Sequence, residues 1–133
     1  IYKWYQREIK ILNEEFNGSI KDWDQYGLTI DCFDNQQSRW QVQQYWEVGK
    51  DLFPHANILH IGFSQDFTFA IEWAQDYETP SDLASGFDIC TMQGASAFVN
   101  SVASVGSLVV EEFINNNRKL EVVGSRFIHS LIK

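Results

Sequence analysis

Three segments of the chain carry apolar residues at the spacing of one face of an α-helix. The middle segment, residues 39–51, also fits a strand because apolar and polar residues alternate around Trp40. We favour the helix because Ser38 and Gln41 have capping-box spacing and Pro54 closes the pattern. The predicted helix faces are Tyr5, Ile9, Leu12 and Phe16 in the first segment, Val42, Tyr45, Trp46 and Gly49 in the second, and Val105, Leu108, Val109 and Phe113 in the third, residues 104–117.

The clearest pair of strands lies near the middle of the chain. Residues 58–63 and 67–73 are rich in β-branched and aromatic residues and flank the short loop Ser-Gln-Asp. This arrangement predicts an antiparallel hairpin. Further strands are predicted at residues 28–33, with Leu28, Ile30 and Cys32 on the buried face, and at residues 87–92. Residues 119–133 are compatible with a strand followed by a short helix, but the pattern does not decide their structure.

The order of these elements predicts the fold class. Most of the strands follow one another directly, so the sheet is expected to be mostly antiparallel, with the helices packed on one of its faces. The chain has 133 residues, 44% of them hydrophobic, which is enough for one packed core. The prediction is a single α+β domain spanning residues 1–133.

Acidic residues outnumber basic ones and are unevenly placed. The net charge is −8, and no Lys or Arg occurs between Lys50 and Arg118. Nucleic acids and anionic membranes need clustered Lys and Arg, so neither is an expected ligand. We find no signal-peptide pattern and no apolar run near the roughly 18 residues that span a bilayer. The two cysteines, Cys32 and Cys90, are expected to be buried free thiols, which fits the cytoplasm.

The sequence lacks the spaced motifs of a catalytic or metal centre. It has no His-Glu-x-x-His pattern, no Cys-x-x-Cys pair and no glycine-rich phosphate loop. His60 is interpreted as a structural histidine of a strand, His55 as a solvated turn residue, and His129 has no partner at readable spacing. We therefore predict no catalytic residue, no metal and no cofactor, although a site assembled through space stays open.

The unbalanced carboxylates are the best candidates for function. They lie on the hairpin and on the polar loop of residues 74–85 that follows it, except for Asp88, which lies in the predicted strand at residues 87–92. A solvated surface usually mixes both charge signs, so this excess favours a binding face for a basic protein. Trp73 is either an exposed interface anchor or, the favoured alternative, a buried hairpin residue. The predicted partner-binding residues are Asp66, Glu72, Trp73, Asp76, Glu78, Asp82 and Asp88.

Two short stretches resemble one protein family. The stretch "ILHIGFSQDFTFAIEW", residues 58–73, resembles the hairpin of the SUKH superfamily of immunity and cell-wall-regulator-like proteins. The stretch "GSLVVEEFI", residues 106–114, is similar to the closing helix of that family. In the hairpin, the matching positions are Ile61, Gly62, Asp66, Phe69 and Ile71.

This resemblance implies an α+β protein without an active site that neutralises a bacterial toxin. The charge pattern leads to a compatible hypothesis, because nuclease toxins grip phosphate with basic clefts that an acidic protein can occupy. The predicted function is therefore an immunity protein for a basic toxin, most simply a nuclease. A non-catalytic scaffold that binds a basic partner is the alternative, and a small enzyme with an unrecognised site is a further one.

Overall fold

A computed structural model describes residues 26–64, 66–79, 93–125 and 129–131, together with Asn13. These residues form five strands and two helices. In chain order the elements are β1 (Leu28–Asp31), α1 (Gln36–Gly49), β2 (Asn57–Phe63), β3 (Thr68–Trp73), α2 (Ala95–Asn116), β4 (Val122–Ser125) and β5 (His129–Leu131).

The five strands form one sheet in the order β1-β2-β3-β4-β5. Strand β1 pairs with β2 in parallel, and the other three neighbouring pairs are antiparallel. The predicted α+β class and the mostly antiparallel sheet are therefore confirmed. The parallel pair was not predicted. It forms because α1 carries the chain from the end of β1 back to the start of β2, the connection that a parallel pair needs.

The two helices pack on opposite faces of the sheet. On one face Val42 of α1 meets Ile58 and Ala74. On the other face Gly106 of α2 lies against Ile61. The expectation that the helices share one face is wrong. Strand β2 explains why, since successive side chains point to opposite faces and Ile58, Leu59 and His60 are all at most 1% exposed.

The larger core lies between α2 and the sheet. It contains aromatic residues of the hairpin and the apolar stripe of α2, and Phe98 makes edge-to-face contacts with several of the rings. Edge-to-face rings fill the space between a helix and a sheet efficiently, so this core packs the hairpin against α2. Its buried members are Leu59, Phe67, Phe69, Ile71, Trp73, Phe98, Val102, Val109 and Val122.

The predicted hairpin and the two described helices are confirmed, with shifts at their ends. Helix α1 is capped by Asn35, whose side chain accepts a hydrogen bond from the Ser38 amide at 2.8 Å, so Ser38 is not the cap. Helix α2 begins at Ala95, well before the predicted Ser104. Its first turns are rich in Ala and Ser, so they do not show the clear separation of apolar and polar faces that predicts a helix. Leu108 was predicted to be buried but is 62% exposed.

Strand β1 buries Asp31 of the face opposite to the predicted one, while Leu28 of the predicted face is partly buried against the larger core. Asp31 is 2% exposed, whereas Ile30 is 45% exposed and Cys32 is exposed. The prediction that Cys32 is a buried thiol is therefore wrong. Alternation fixed the period of the strand, but the buried face is decided by what Asp31 can bond to inside the fold.

Several predictions fall outside the described residues. They are the first helix at residues 5–16, the strand at 87–92 and the thiol of Cys90. At the other end of the chain, where the sequence pattern left the structure undecided, residues 122–125 form β4 and residues 129–131 form β5.

Helix α2 is long enough to cross a bilayer, and its mean hydropathy of 1.4 over 18 residues is in the range for a span. This helix contains no uninterrupted apolar run of that length, which agrees with the sequence prediction about apolar runs. The apolar residues are interrupted by serines, and three serine hydroxyls bond back to helix carbonyls. One stripe of α2, which includes Phe98 and Val109, is buried against the sheet.

Candidate functional site

A buried contact between a histidine and a carboxylate joins β1 to β2. Nδ1 of His60 lies 2.6 Å from Oδ2 of Asp31, and both side chains are at most 1% exposed. The two residues are register partners in the parallel pair, so their side chains point to the same face, beneath α1. The other oxygen of Asp31 accepts the backbone amide of Phe33 at 2.8 Å. The unexpected burial of Asp31 is therefore matched by hydrogen bonds, as burial of a carboxylate requires.

Gln43 of α1 fixes the protonation pattern of the His60 ring. The amide nitrogen of Gln43 donates to the carbonyl of Ala74 at 2.8 Å, so its oxygen faces Nε2 of His60 at 3.1 Å. Nε2 must then carry a hydrogen, since the oxygen only accepts. The other ring nitrogen, Nδ1, faces the Asp31 carboxylate at 2.6 Å. We call Asp31, Gln43 and His60 the buried polar network.

Arg39 borders this network from α1. One guanidinium nitrogen donates to the carbonyl of Ile61 at 2.8 Å, and another lies 3.6 Å from Oδ2 of Asp31. The guanidinium lies over Gly62, where a Cβ atom would stand only 3.2 to 3.3 Å from it. A side chain at this position would require the guanidinium to shift by a few tenths of an ångström.

Tyr77 covers the outer face of His60. The two rings are stacked, with their centroids 3.7 Å apart and their planes 7° from parallel. The Tyr77 hydroxyl is buried and makes no hydrogen bond within the part of the chain that the structure describes. Burial raises the pKa of Tyr77, while contact with the Arg39 guanidinium and its charge oppose the rise. His60 is inaccessible to solvent, so in this conformation the buried polar network has a structural role.

Four carboxylates gather next to this network. Register places Glu72 of β3 directly opposite His60, and one further step along β3 and β4 places Glu121 opposite Glu72. Asp76 and Glu78 complete the group, which we call the acidic cluster. Partial burial and the charges of Glu121, Asp76 and Glu78, in that order, raise the pKa of Glu72.

No ion pair neutralises the acidic cluster within the described ranges. Glu121 is 8% exposed and accepts the Trp73 amide at 3.3 Å, but this bond offers no positive charge. Lys119 lies over the Trp73 ring, 5.2 Å from its centroid, and burial alone lowers its pKa. The cluster is thus a negative site whose charges the rest of the described fold does not offset.

The structure brings together some of the predicted binding residues and separates others. Glu72, Asp76 and Glu78 are in the cluster. Asp66 lies at the far end of β3, where its carboxylate accepts from the amide and hydroxyl of Thr68, and the side-chain bond chiefly lowers its pKa. Asp82 and Asp88 lie outside the described residues.

Trp73 is a core residue and not an exposed anchor. It is 1% exposed, packs on Phe113 and donates from its ring nitrogen to the carbonyl of Leu120 at 2.9 Å. This agrees with the favoured alternative, a buried hairpin tryptophan. Its burial takes the ring off the surface that a partner can reach, so its contribution there is to hold the end of β3 in place.

Sequence reasoning missed Glu121, Asp31, Gln43 and Tyr77. Glu121 lies outside the stretch without basic residues, and it joins the cluster only through the pairing of β3 with β4. Asp31 and Gln43 meet His60 across 29 and 17 residues of sequence. No local pattern signals contacts at such separations. A polar residue inside an apolar strand, such as His60, is the one signal that could have raised the question.

No group of three His, Cys, Asp or Glu side chains able to hold a metal occurs among the described residues. Comparisons of the chain with protein-family models, curated proteins and solved structures found no match. The arrangement offers a supported set of uncompensated carboxylates beside a closed histidine, which suits the binding of a cationic surface.

Proposed function

We propose that this protein is a non-catalytic, cytoplasmic immunity protein that binds and neutralises a basic toxin, most simply a nuclease, through the acidic cluster. The observation that carries the proposal is the position of Glu72. Its carboxylate is partly buried, faces like charges and has no cation beside it within the described residues. Such an arrangement costs stability, and an arginine or lysine of a partner would offset the repulsion.

The physics of association supports the same function. The active cleft of a nuclease must attract phosphate, so its surface is positive. A complementary negative patch raises the association rate, up to about 10⁸–10⁹ per molar per second at low salt. Rapid capture is what an inhibitor of a lethal enzyme needs. The resemblance of residues 58–73 to the SUKH hairpin supports this function independently of the charge.

The test uses a nuclease toxin domain encoded by a gene next to that of this protein. Asp76→Asn with Glu78→Gln removes two exposed charges of the cluster. The matched control, Asp34→Asn with Glu111→Gln, removes two exposed charges from β1–α1 and from α2. We expect the first pair to weaken binding about tenfold and to flatten its salt dependence, as measured by calorimetry at two salt concentrations.

The control pair should change the affinity less than threefold. Equal effects of the two pairs would mean that only net charge matters, and no binding by the wild type would reject the immunity function. A growth assay gives a second measurement, because co-expression of the chain should rescue cells that express the toxin, and the cluster variant should rescue them less well.

A scaffold function is the second candidate, and exposed apolar side chains favour it. Tyr45, Val48 and Leu52 lie at the end of α1 and are 36%, 78% and 72% exposed. Val48→Asp with Leu52→Asp would abolish the binding of a partner at this site, whereas the cluster variant would leave its affinity unchanged. The two double variants therefore distinguish the two functions.

A further inference from the structure

The acidic cluster depends on a short segment that two contacts fasten to the sheet. Residues 74–79, here called the acidic loop, follow β3 and contain Asp76 and Glu78. The first contact is the hydrogen bond from Gln43 to the carbonyl of Ala74 at 2.8 Å. The second is the stack of Tyr77 on His60. Both contacts reach the same buried polar network.

The alternation of burial along the acidic loop shows what this fastening does. Asp76 and Glu78 are exposed, and Tyr77 between them is half-buried with its ring on His60. An inward tyrosine directs its two neighbours outward. The first turn of the loop is closed by a hydrogen bond from the Asp76 amide to the Trp73 carbonyl at 3.1 Å.

The anchor itself is rigid. His60 cannot rotate without breaking its bonds to Asp31 and Gln43, which come from β1 and α1. Gln43 is held by its second bond to the loop backbone. The ring that supports Tyr77 is thus fixed from both sides, and the position of the loop follows the position of the ring.

We propose that Tyr77 is a positioning residue: stacked on the buried polar network, it pre-orders Asp76 and Glu78 for the basic partner. This inference rests on the proposed function for its binding step. A loop that is ordered before binding loses less conformational entropy on association. Each side chain that is already immobilised therefore raises the affinity. His60 and Asp31 serve binding at a distance, since both are closed off from solvent.

The test compares Tyr77→Ala with Tyr77→Phe. The phenylalanine variant keeps the stack and removes only the hydroxyl, which lies near the Arg39 guanidinium but makes no hydrogen bond to a described residue. Neither variant changes the charge of the loop. The first measurement needs no partner: backbone order parameters of Asp76, Tyr77 and Glu78 by NMR. We expect values near 0.85 in the wild type and in Tyr77→Phe, and below about 0.6 in Tyr77→Ala.

The second measurement is the affinity for the nuclease toxin domain at two salt concentrations. Tyr77→Ala should bind about tenfold more weakly with an unchanged salt slope, because the carboxylates remain but are no longer pre-ordered. The Asp76→Asn, Glu78→Gln pair should change the slope. Tyr77→Phe should match the wild type. If Tyr77→Ala does not fold, Tyr77→Leu removes the same stack while retaining apolar cover.

Each outcome decides a separate point. Unchanged order parameters in Tyr77→Ala would overturn the anchor. Lower order parameters with unchanged affinity would overturn the link between loop order and binding. If the wild type does not bind the toxin domain, the proposed function fails, and the order parameters alone still decide whether Tyr77 anchors the loop.

Discussion

His60 on β2 and Glu72 on β3 are direct cross-strand partners, so a histidine bonded to a buried aspartate lies opposite a carboxylate crowded by like charges. On this face of the sheet, the Asp31 carboxylate has a histidine partner, whereas the Glu72 carboxylate one strand further along has only like charges near it. On the β1 side the charges serve the fold. On the β4 side they are left for a partner or as a cost to stability.

Replacing Glu72 tests that cost. Glu72→Gln should raise the free energy of unfolding at pH 7 by up to about 1 kcal/mol, the scale of a repulsive cross-strand pair. The pKa of Glu72 is raised in the folded protein, so the folded state holds this proton more tightly than the unfolded chain. The wild type therefore gains stability relative to the variant as the pH falls from the raised pKa towards the ordinary value of about 4.3.

Urea unfolding at pH 7 and at pH 4.5, followed by circular dichroism, measures this difference. Glu111→Gln, an exposed carboxylate on α2, is the matched control and should show no such pH dependence relative to the wild type. A variant less stable than the wild type at pH 7 would show that Glu72 makes a favourable contact instead.

Removing His60 should be costly. His60→Ala leaves a cavity under α1 and a buried Asp31 without its main partner, so we expect a loss of about 3–5 kcal/mol. Guanidinium unfolding monitored by tryptophan fluorescence gives the value. His55→Ala, at an exposed position, should stay within about 0.5 kcal/mol. A loss below about 1 kcal/mol for His60→Ala would contradict the role assigned to the network.

The contact between α2 and β2 predicts a coupled pair of substitutions. A Cβ atom on Gly106 would lie 2.8 Å from Cδ1 of Ile61, which is too close. Gly106→Ala should therefore stabilise the helix by about 1 kcal/mol through its higher helix propensity. Overpacking against Ile61 should destabilise the protein by about 1–3 kcal/mol. Ile61→Val removes the clashing atom, so in that background Gly106→Ala should become stabilising. A double-mutant cycle by thermal unfolding measures the coupling, and strict additivity would argue against the close approach.

Substitutions at the start of α1 distinguish two candidate N-cap residues, Asn35 and Ser38. Asn35→Ala should cost about 1 kcal/mol because its side chain accepts the Ser38 amide. Ser38→Ala should be close to neutral, since the Ser38 side chain is not the cap. Thermal unfolding of the two variants compares them directly. The reverse order of effects would restore Ser38 as the cap that the sequence pattern predicts.

Local patterns predicted the elements whose determinants are local. The hairpin of β2 and β3 was foreseeable because two β-rich runs flank a three-residue loop, and α1 because of its apolar spacing and the Pro54 that closes the pattern. The buried face of β1 and the early start of α2 were not. Asp31 can be buried because His60 and the Phe33 amide form hydrogen bonds with its carboxylate. The side chains in the first turns of α2 are too small and polar to form a recognisable apolar stripe.

The sequence by itself determined the secondary structure of the described middle of the chain, the α+β class and the excess of negative charge, since all three depend on composition and short-range order. The tertiary structure decided which carboxylates act together. Glu121 joined Glu72 through strand pairing, Asp66 was left at the other end of β3, and Tyr77 acquired a partner in His60. These relations depend on register and on helix placement across many residues, and spacing along the chain carries no information about them.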